Sequence, residues 1–252
     1  MHERAGRLDR GDGVELAWAA RDGRGPTIVF LPGFASDMSG SKATTLDAFC
    51  AAHGQALLRL DYSGHGASGG AFTDGGIGVW RDDALCVIDR IAQGKLLLVG
   101  SSMGGWIMLL LALARPERVA GLVGIAAAPD FTERLMWQAM APRERTALQR
   151  DGYLDIPSAY GSPTRVTRAL IEDGRRHLLL DRPIPLPMPV RLLHGQRDPD
   201  VPWKTSLHLS ERIESDDVHV SLIKDGDHRL SRRADLDLLC RTVAALLGED
   251  AA

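Results

Sequence analysis

Between Leu96 and Gly105 the chain reads Leu-Leu-Leu-Val-Gly-Ser-Ser-Met-Gly-Gly, an apolar run followed by a serine set between two glycines and then by helical patterning. The pattern G-x-S-x-G, Gly100 to Gly104, constrains the fold because a buried strand that turns sharply into a helix presents its serine at the top of a sheet. The backbone of such a turn is strained, and side chains two residues either side of the serine would collide, so both places need glycine. Ser102 has Gly100 and Gly104 at those positions, whereas Ser101 would have Val99 and Met103. Ser102 is therefore the candidate nucleophile. The bland alternative is a plain Gly/Ser turn, and the rest of the chain must decide between the two.

Short apolar runs alternate with amphipathic stretches, the pattern of a mostly parallel sheet flanked by helices. Strands are expected near Val14–Ala19, Thr27–Leu31, Ala56–Leu60, Leu96–Gly100, Leu122–Ala127, Val190–His194 and Val218–Ile223, with helices near Lys42–His53, Ile77–Ile91, Met103–Ala114, Thr205–Ile213 and Ala234–Leu247. Glycine-rich punctuation at Gly11–Gly13 and Asp22–Gly25 suggests that the opening strands run antiparallel. Between Pro129 and Pro189 no strong strand is visible, while Phe131–Met140, Pro142–Arg150 and Thr164–Asp173 look helical. An interval that long is an insertion with its own structure. The expected organisation is a core of residues 1–128 and 190–252 with a helical cap over 129–189, returning to the core through the stiff Pro183–Pro189 segment.

At 252 residues the chain is long enough for one α/β domain, and 44% hydrophobic with 25% charged residues is ordinary for a globular protein. A net charge of −3 gives no footprint for nucleic acid or an anionic membrane surface. Cys50, Cys86 and Cys240 form no close-spaced pair and read as reduced thiols. The charged opening Met1–Arg7 carries no apolar segment of a secretory signal, and no run approaches a membrane span, so a cytoplasmic location is expected.

A serine hydroxyl needs a base within hydrogen-bond reach and the base needs an orienting acid. Two late loops supply them. After the strand near Val190 comes His194-Gly-Gln-Arg-Asp198-Pro-Asp200, and after the strand near Val218 comes Lys224-Asp-Gly-Asp227-His228-Arg229. His228 is the candidate base and Asp198 the candidate acid, in the chain order Ser…Asp…His. Asp200 and Asp130 are rival acids, Asp227 reads as a turn former, His194 as a brace for the acid-bearing loop, and His65 as a loop residue near the pocket. His2, His53, His177, His208 and His219 read as ordinary surface or core residues. An oxyanion needs two N–H donors. Met103 offers one at a helix N-terminus, and Phe34, in the Leu31-Pro-Gly-Phe34 strand exit, offers the other.

With these residues in view, the whole chain resembles the α/β-hydrolase superfamily. Asp61-Tyr-Ser-Gly, Gly104-Gly-Trp, Pro183-Ile-Pro, Val201-Pro-Trp and Asp227-His-Arg resemble more narrowly the α/β-hydrolase-domain proteins that act as acyl-glucuronide esterases and palmitoyl-protein thioesterases. The resemblance implies an α/β-hydrolase fold, a Ser102/Asp198/His228 triad and hydrolysis of an acylated or other small-molecule ester or thioester. No His/Cys cluster has metal-ligand spacing, so no metal is expected, and no cofactor, nucleic-acid partner or membrane span is expected either. An acyltransferase, an esterase of unrelated specificity and a non-catalytic binding protein on the same scaffold are the alternatives; dehalogenase chemistry is disfavoured because its elbow carries Asp where Ser102 stands. Leu135, Met136, Trp137 and Met140 are candidate acyl-wall residues or plain cap core, and Arg175 and Arg176 are candidate contacts for an acidic group or plain surface.

Overall fold

A computed structural model describes residues 3–158 and 161–248. Its strands are β1 (Glu3–Asp9), β2 (Glu15–Arg21), β3 (Arg24–Leu31), β4 (Gln55–Leu60), β5 (Leu96–Ser101), β6 (Val119–Ile125), β7 (Tyr153–Ser158), β8 (Gly161–Thr167), β9 (Val190–Gly195) and β10 (Val218–Ile223). The α-helices are α1 (Ser41–His53), α2 (Ile77–Ile91), α3 (Met103–Ala114), α4 (Pro142–Asp151), α5 (Arg168–Arg175), α6 (Lys204–Arg212) and α7 (Arg233–Leu247).

Eight strands pair in the order β1-β2-β4-β3-β5-β6-β9-β10. β2 runs antiparallel to both of its neighbours, and every other neighbouring pair is parallel. Alternate residues of the central strands enter two separate cores. Val29, Leu31, Leu96 and Leu98 face α2 and α3 with Trp80 and Trp106, while Ile28, Phe30, Leu97 and Val99 face α1 and α7 with Leu46 and Val243. Burial on both faces is why these strands read as unbroken apolar runs. The chain passes from β3 through α1 to one side of the sheet and from β5 through α3 to the other. That reversal opens a crevice at the carboxyl ends of β3 and β5, where ligands bind in open α/β sheets.

The expected core strands and helices occur where the sequence puts them. Two expectations need correction. The first two expected strands, β2 and β3, are not neighbours: β2 pairs with β4 and with β1, an edge strand the sequence reading missed. β1 is Glu-Arg-Ala-Gly-Arg-Leu-Asp and mostly exposed, so it carries no apolar signal; it is brought onto β2 by the Gly11–Gly13 turn. The insertion, second, is not all helical. A π-helical turn spans Thr132–Trp137 and α4 and α5 are present, but between them β7 and β8 form an antiparallel hairpin. Thr164–Thr167, expected as the start of a helix, is strand, and the helix begins at Arg168. The reason is a period of two: Leu154 and Ile156 pair with Val166 and Thr164, while Asp155 and Arg165 join outside through two 2.8 Å hydrogen bonds. Thr167 then caps α5 by accepting the Leu170 N–H at 3.1 Å.

The insertion is closed on itself and tied to the core by side chain–backbone hydrogen bonds. Within it the buried Asp130 carboxylate accepts the Leu179 and Leu180 amides; across to the core, Asp173 accepts the Gly78 amide at the start of α2, and the Trp106 indole donates to the His177 carbonyl. His2 lies outside the described residues. Among the described residues no helix is long and apolar enough to cross a membrane.

Candidate active site

The sharp turn after β5 puts Ser102 at φ 54° and ψ −118°, backbone that L-residues adopt only under constraint. Three bonds supply it: Ser102 N–H donates to Ile125 O at 2.9 Å, and Ser102 O accepts from Gly105 at 2.9 Å and Ala128 at 3.0 Å. The flanking glycines allow the close approach this needs. A Cβ on Gly100 would lie 2.3 Å from Gly104 O, and one on Gly104 would lie 2.0 Å from Leu31 O. Ser101, the discarded alternative, is the last residue of β5 and buried.

Three chain-distant residues meet above this turn. Ser102 Oγ donates to His228 Nε2 at 3.0 Å, and His228 Nδ1 donates to Asp198 Oδ2 at 2.7 Å. The roles follow from the partners: a carboxylate can only accept, so the ring proton sits on Nδ1 and Nε2 is free to accept. The Asp198 side chain is fully buried and receives two further sets of donors. Its Oδ1 accepts the Asp200 and Val201 amides, each at 2.8 Å, and its Oδ2 accepts His194 Nε2 at 3.1 Å. Burial pushes the Asp198 pKa up, but the His194 and His228 hydrogen bonds and the backbone amides outweigh it and hold the carboxyl well below the usual carboxylate range. His194, wholly buried, is in turn held by Ser206 Oγ at 2.7 Å and Val201 O at 3.0 Å. It braces the acid-bearing loop, as expected of it.

The remaining candidates separate cleanly. Asp130 is buried but occupied with the Leu179 and Leu180 amides, and burial raises its pKa. Asp200 lines the pocket and is exposed. Asp227 accepts the Leu230 amide at 2.9 Å, a turn former. Asp198, Asp200 and His228 present potential metal-ligand atoms within 4.8 Å of one another, but the hydrogen bonds just described already occupy both Asp198 oxygens and the His228 Nδ1 face.

Met103 directly follows Ser102, and Phe34 lines the same cavity as Ser102. Met103 is the first residue of α3, where the N–H has no partner within the helix. The strand exit at Gly33 runs beside the nucleophile: a Cβ there would stand 3.4 Å from Ser102 Cβ. Sequence reasoning gave no role to Lys42, whose Nζ donates to Arg229 O at 2.5 Å, next to His228. Burial pulls its ammonium down to about 8. Nothing local in a helix-opening Ser-Lys-Ala signals that contact, because it spans 187 residues of sequence.

A cavity of about 700 Å³ opens on Ser102 and His228. Leu135, Met136, Ile156 and Val166 from the insertion wall one side, and Asp37, Ser41 and Lys42 line another. Trp137 and Met140 do not line it, and Met140 is buried. Arg175 and Arg176 are also outside it. Arg175 bonds Glu133 at 2.7 Å and lies over the Trp137 ring at 4.6 Å, while Arg176 pairs with Asp173 at 2.6 Å.

An α/β sheet with a serine at a strained β5–α3 turn, facing a histidine and an acid from later loops, defines a hydrolase-fold protein. The chain belongs to the α/β hydrolase fold family, whose model matches residues 26–156. It is 42% identical over 242 residues to the mitochondrial palmitoyl-protein thioesterase ABHD10 of Mus musculus, covering 95% of this chain and 81% of that protein, and 41% identical to the Homo sapiens protein of the same name, covering 95% and 79%. The solved mouse α/β hydrolase domain-containing protein 10 superposes with a TM-score of 0.90 at 40% identity, covering 97% of this chain and 98% of that one. A crystal structure from Agrobacterium vitis S4 does so at 0.92 and 42%, with the same coverage.

Proposed function

We propose that the chain is a serine hydrolase that cleaves carboxylic esters or thioesters through an acyl-enzyme on Ser102. The observation that carries this reading is the continuous relay Ser102–His228–Asp198, at 3.0 and 2.7 Å, opening into a cavity large enough for an acyl group. His228 Nε2 takes the Ser102 proton as Oγ bonds to the substrate carbonyl carbon. The oxyanion is received by the Phe34 and Met103 amides. His228 then returns the proton to the departing alkoxide or thiolate. Water repeats the cycle: His228 takes its proton, hydroxide attacks the acyl carbon, and the acid leaves as Ser102 recovers its hydrogen. Asp198 keeps the ring in the Nδ1–H form and stabilises the imidazolium that forms.

Residues 129–189 act as a cap on the core of 1–128 and 190–252, since Leu135, Met136, Ile156 and Val166 supply the apolar wall next to Ser102. Four such side chains fit an aliphatic acyl group, in keeping with the palmitoyl-protein thioesterase name of the relatives. The three cysteines stand as thiols, which supports a reducing compartment such as the cytoplasm. Fluorophosphonate labelling tests the reading. It is expected in the native chain and lost in Ser102→Ala together with hydrolysis of p-nitrophenyl esters and acyl thioesters of graded length; labelling or turnover that survives Ser102→Ala removes it.

A further inference from the structure

One motif is left unused by this chemistry, the loop that leaves β4, Asp61-Tyr-Ser-Gly-His65-Gly-Ala-Ser68, and it packs against the strand exit that carries Phe34. We propose that His65 is a positioning residue for the oxyanion donor, with Tyr62 as its partner, and that together they aim the Phe34 N–H. The inference rests on the reading of Phe34 as that donor.

The aim of Phe34 N–H is set by the peptide it shares with Gly33. Gly33 O accepts the Ser36 amide at 3.1 Å, closing a four-residue turn, and in a trans peptide the N–H points opposite to the C=O. The turn has a weak place. Ala35 sits at φ 53°, the left-handed region that turns normally give to glycine. Rotating the Phe34–Ala35 peptide would return Ala35 to ordinary backbone and loosen the turn. The contact that opposes this rotation is the Ala35 N–H donating to His65 Nε2 at 3.2 Å. On the other side of the Gly33–Phe34 peptide, Tyr62 Oη donates to Pro32 O at 3.3 Å. The loop after β4 therefore holds the oxyanion segment at both ends.

His65 is equipped to be an acceptor. Its Nδ1 donates to Ser63 O at 3.1 Å, which leaves the Nε2 lone pair for Ala35, and burial disfavours the protonated ring that would face the amide with a second donor. The ring is 4% exposed and fixed by edge contacts with Trp80 at 5.1 Å and Tyr62 at 5.7 Å, and a tilted contact with Phe72 at 5.1 Å. Phe72 and Trp80 also hold the Phe34 ring, at 5.0 and 5.8 Å. One aromatic box thus fixes both the side chain of Phe34 and the amide that follows it.

The test compares His65→Leu, His65→Gln and Tyr62→Phe for steady-state hydrolysis of a p-nitrophenyl ester and for inhibition by an alkylboronic acid, which forms a tetrahedral adduct on the serine. His65→Leu is expected to lower kcat by about ten- to a hundred-fold, less than outright loss of a donor, with KM within two-fold of native and boronate affinity weakened in parallel. His65→Gln, whose amide oxygen reaches the place of Nε2, recovers most of that loss, and Tyr62→Phe lowers kcat several-fold at constant KM. A folded His65→Leu with native kcat, a loss carried by KM, or equal losses in the Leu and Gln variants overturns the inference. Should His65→Leu not fold, native kcat in Tyr62→Phe overturns it and a selective kcat loss upholds it. Activity that persists in Ser102→Ala strikes the parent reading instead, so the two failures are distinct.

Discussion

Replacing Asp198 by asparagine tests the site at its most constrained atom pair. The native carboxylate faces donors only: two backbone amides on Oδ1 and two imidazole N–H groups on Oδ2. An asparagine has one acceptor oxygen and one NH2. Either way round, its NH2 meets two donors, and no rotation of the side chain relieves this. If the NH2 faces the rings, His228 must move its proton to Nε2, which removes the base. A wrong tautomer of this kind costs about 10⁴-fold in kcat. Stability falls too, because two charge-assisted hydrogen bonds worth roughly 1.5–3 kcal/mol each are lost in a fully buried place, for a total of about 3–6 kcal/mol. The sign of the pH dependence follows from the depressed folded pKa. The carboxylate's contribution is complete above the unfolded value of about 3.9 and fades as pH drops towards the lower folded value. The stability gap between native and Asp198→Asn is therefore flat from pH 5 to 7 and narrows on acidification below about pH 4. Urea unfolding across that range and p-nitrophenyl ester turnover read the two effects. An Asp198→Asn variant with kcat within ten-fold of native, or with native stability at pH 7, refutes the donor count on which the reasoning stands.

Lys42 gives a prediction of opposite sense. Burial lowers its pKa from 10.5 to about 8, so between those values the unfolded chain binds more protons and stability rises with pH. The unfolding free energy of the native chain relative to Lys42→Met is expected to be level below pH 8 and to climb from pH 8 towards 10.5; a difference that stays level throughout contradicts the burial of the ammonium. Arg175→Ala should lower kcat/KM equally, or not at all, for a neutral and a carboxylate-bearing ester, because the guanidinium is held by Glu133 and Trp137 outside the pocket. A loss confined to the charged ester would show that it reaches the substrate.

What could be read from the sequence and what could not divide along physical lines. β5 and α3 were legible because burial on both faces of a strand and the glycine spacing around Ser102 are local consequences of local residues. Asp198 and His228 were legible for a topological reason: in a parallel sheet the loops after successive strands all open at one edge, so polar residues after β9 and β10 had to converge on the end of β5. The reading of Asp198 over Asp130 as the acid was less local, and what supports it is occupancy. Asp130 sits at the end of β6 with both oxygens already bound to the Leu179 and Leu180 amides, fifty residues away in sequence.

The same distinction explains the misses. β1 has no apolar periodicity, since as an edge strand it gains its place from the backbone ladder to β2 and not from a buried face. The β7–β8 hairpin did alternate, but over short stretches punctuated by Pro157 and Pro163, residues that argue against a strand unless it lies at an edge, as both of these do. At the site, Lys42 and Ser206 belong to no motif, and Tyr62 and His65 belong to one whose sequence does not show which backbone groups they hold. The residues proposed to move protons were thus readable from the order of strands, while those that hold them in line are fixed by the packing of one loop on another. A relative could keep Ser102, Asp198 and His228 and still lose rate by altering the loop after β4, and a motif search limited to the triad would not register the change.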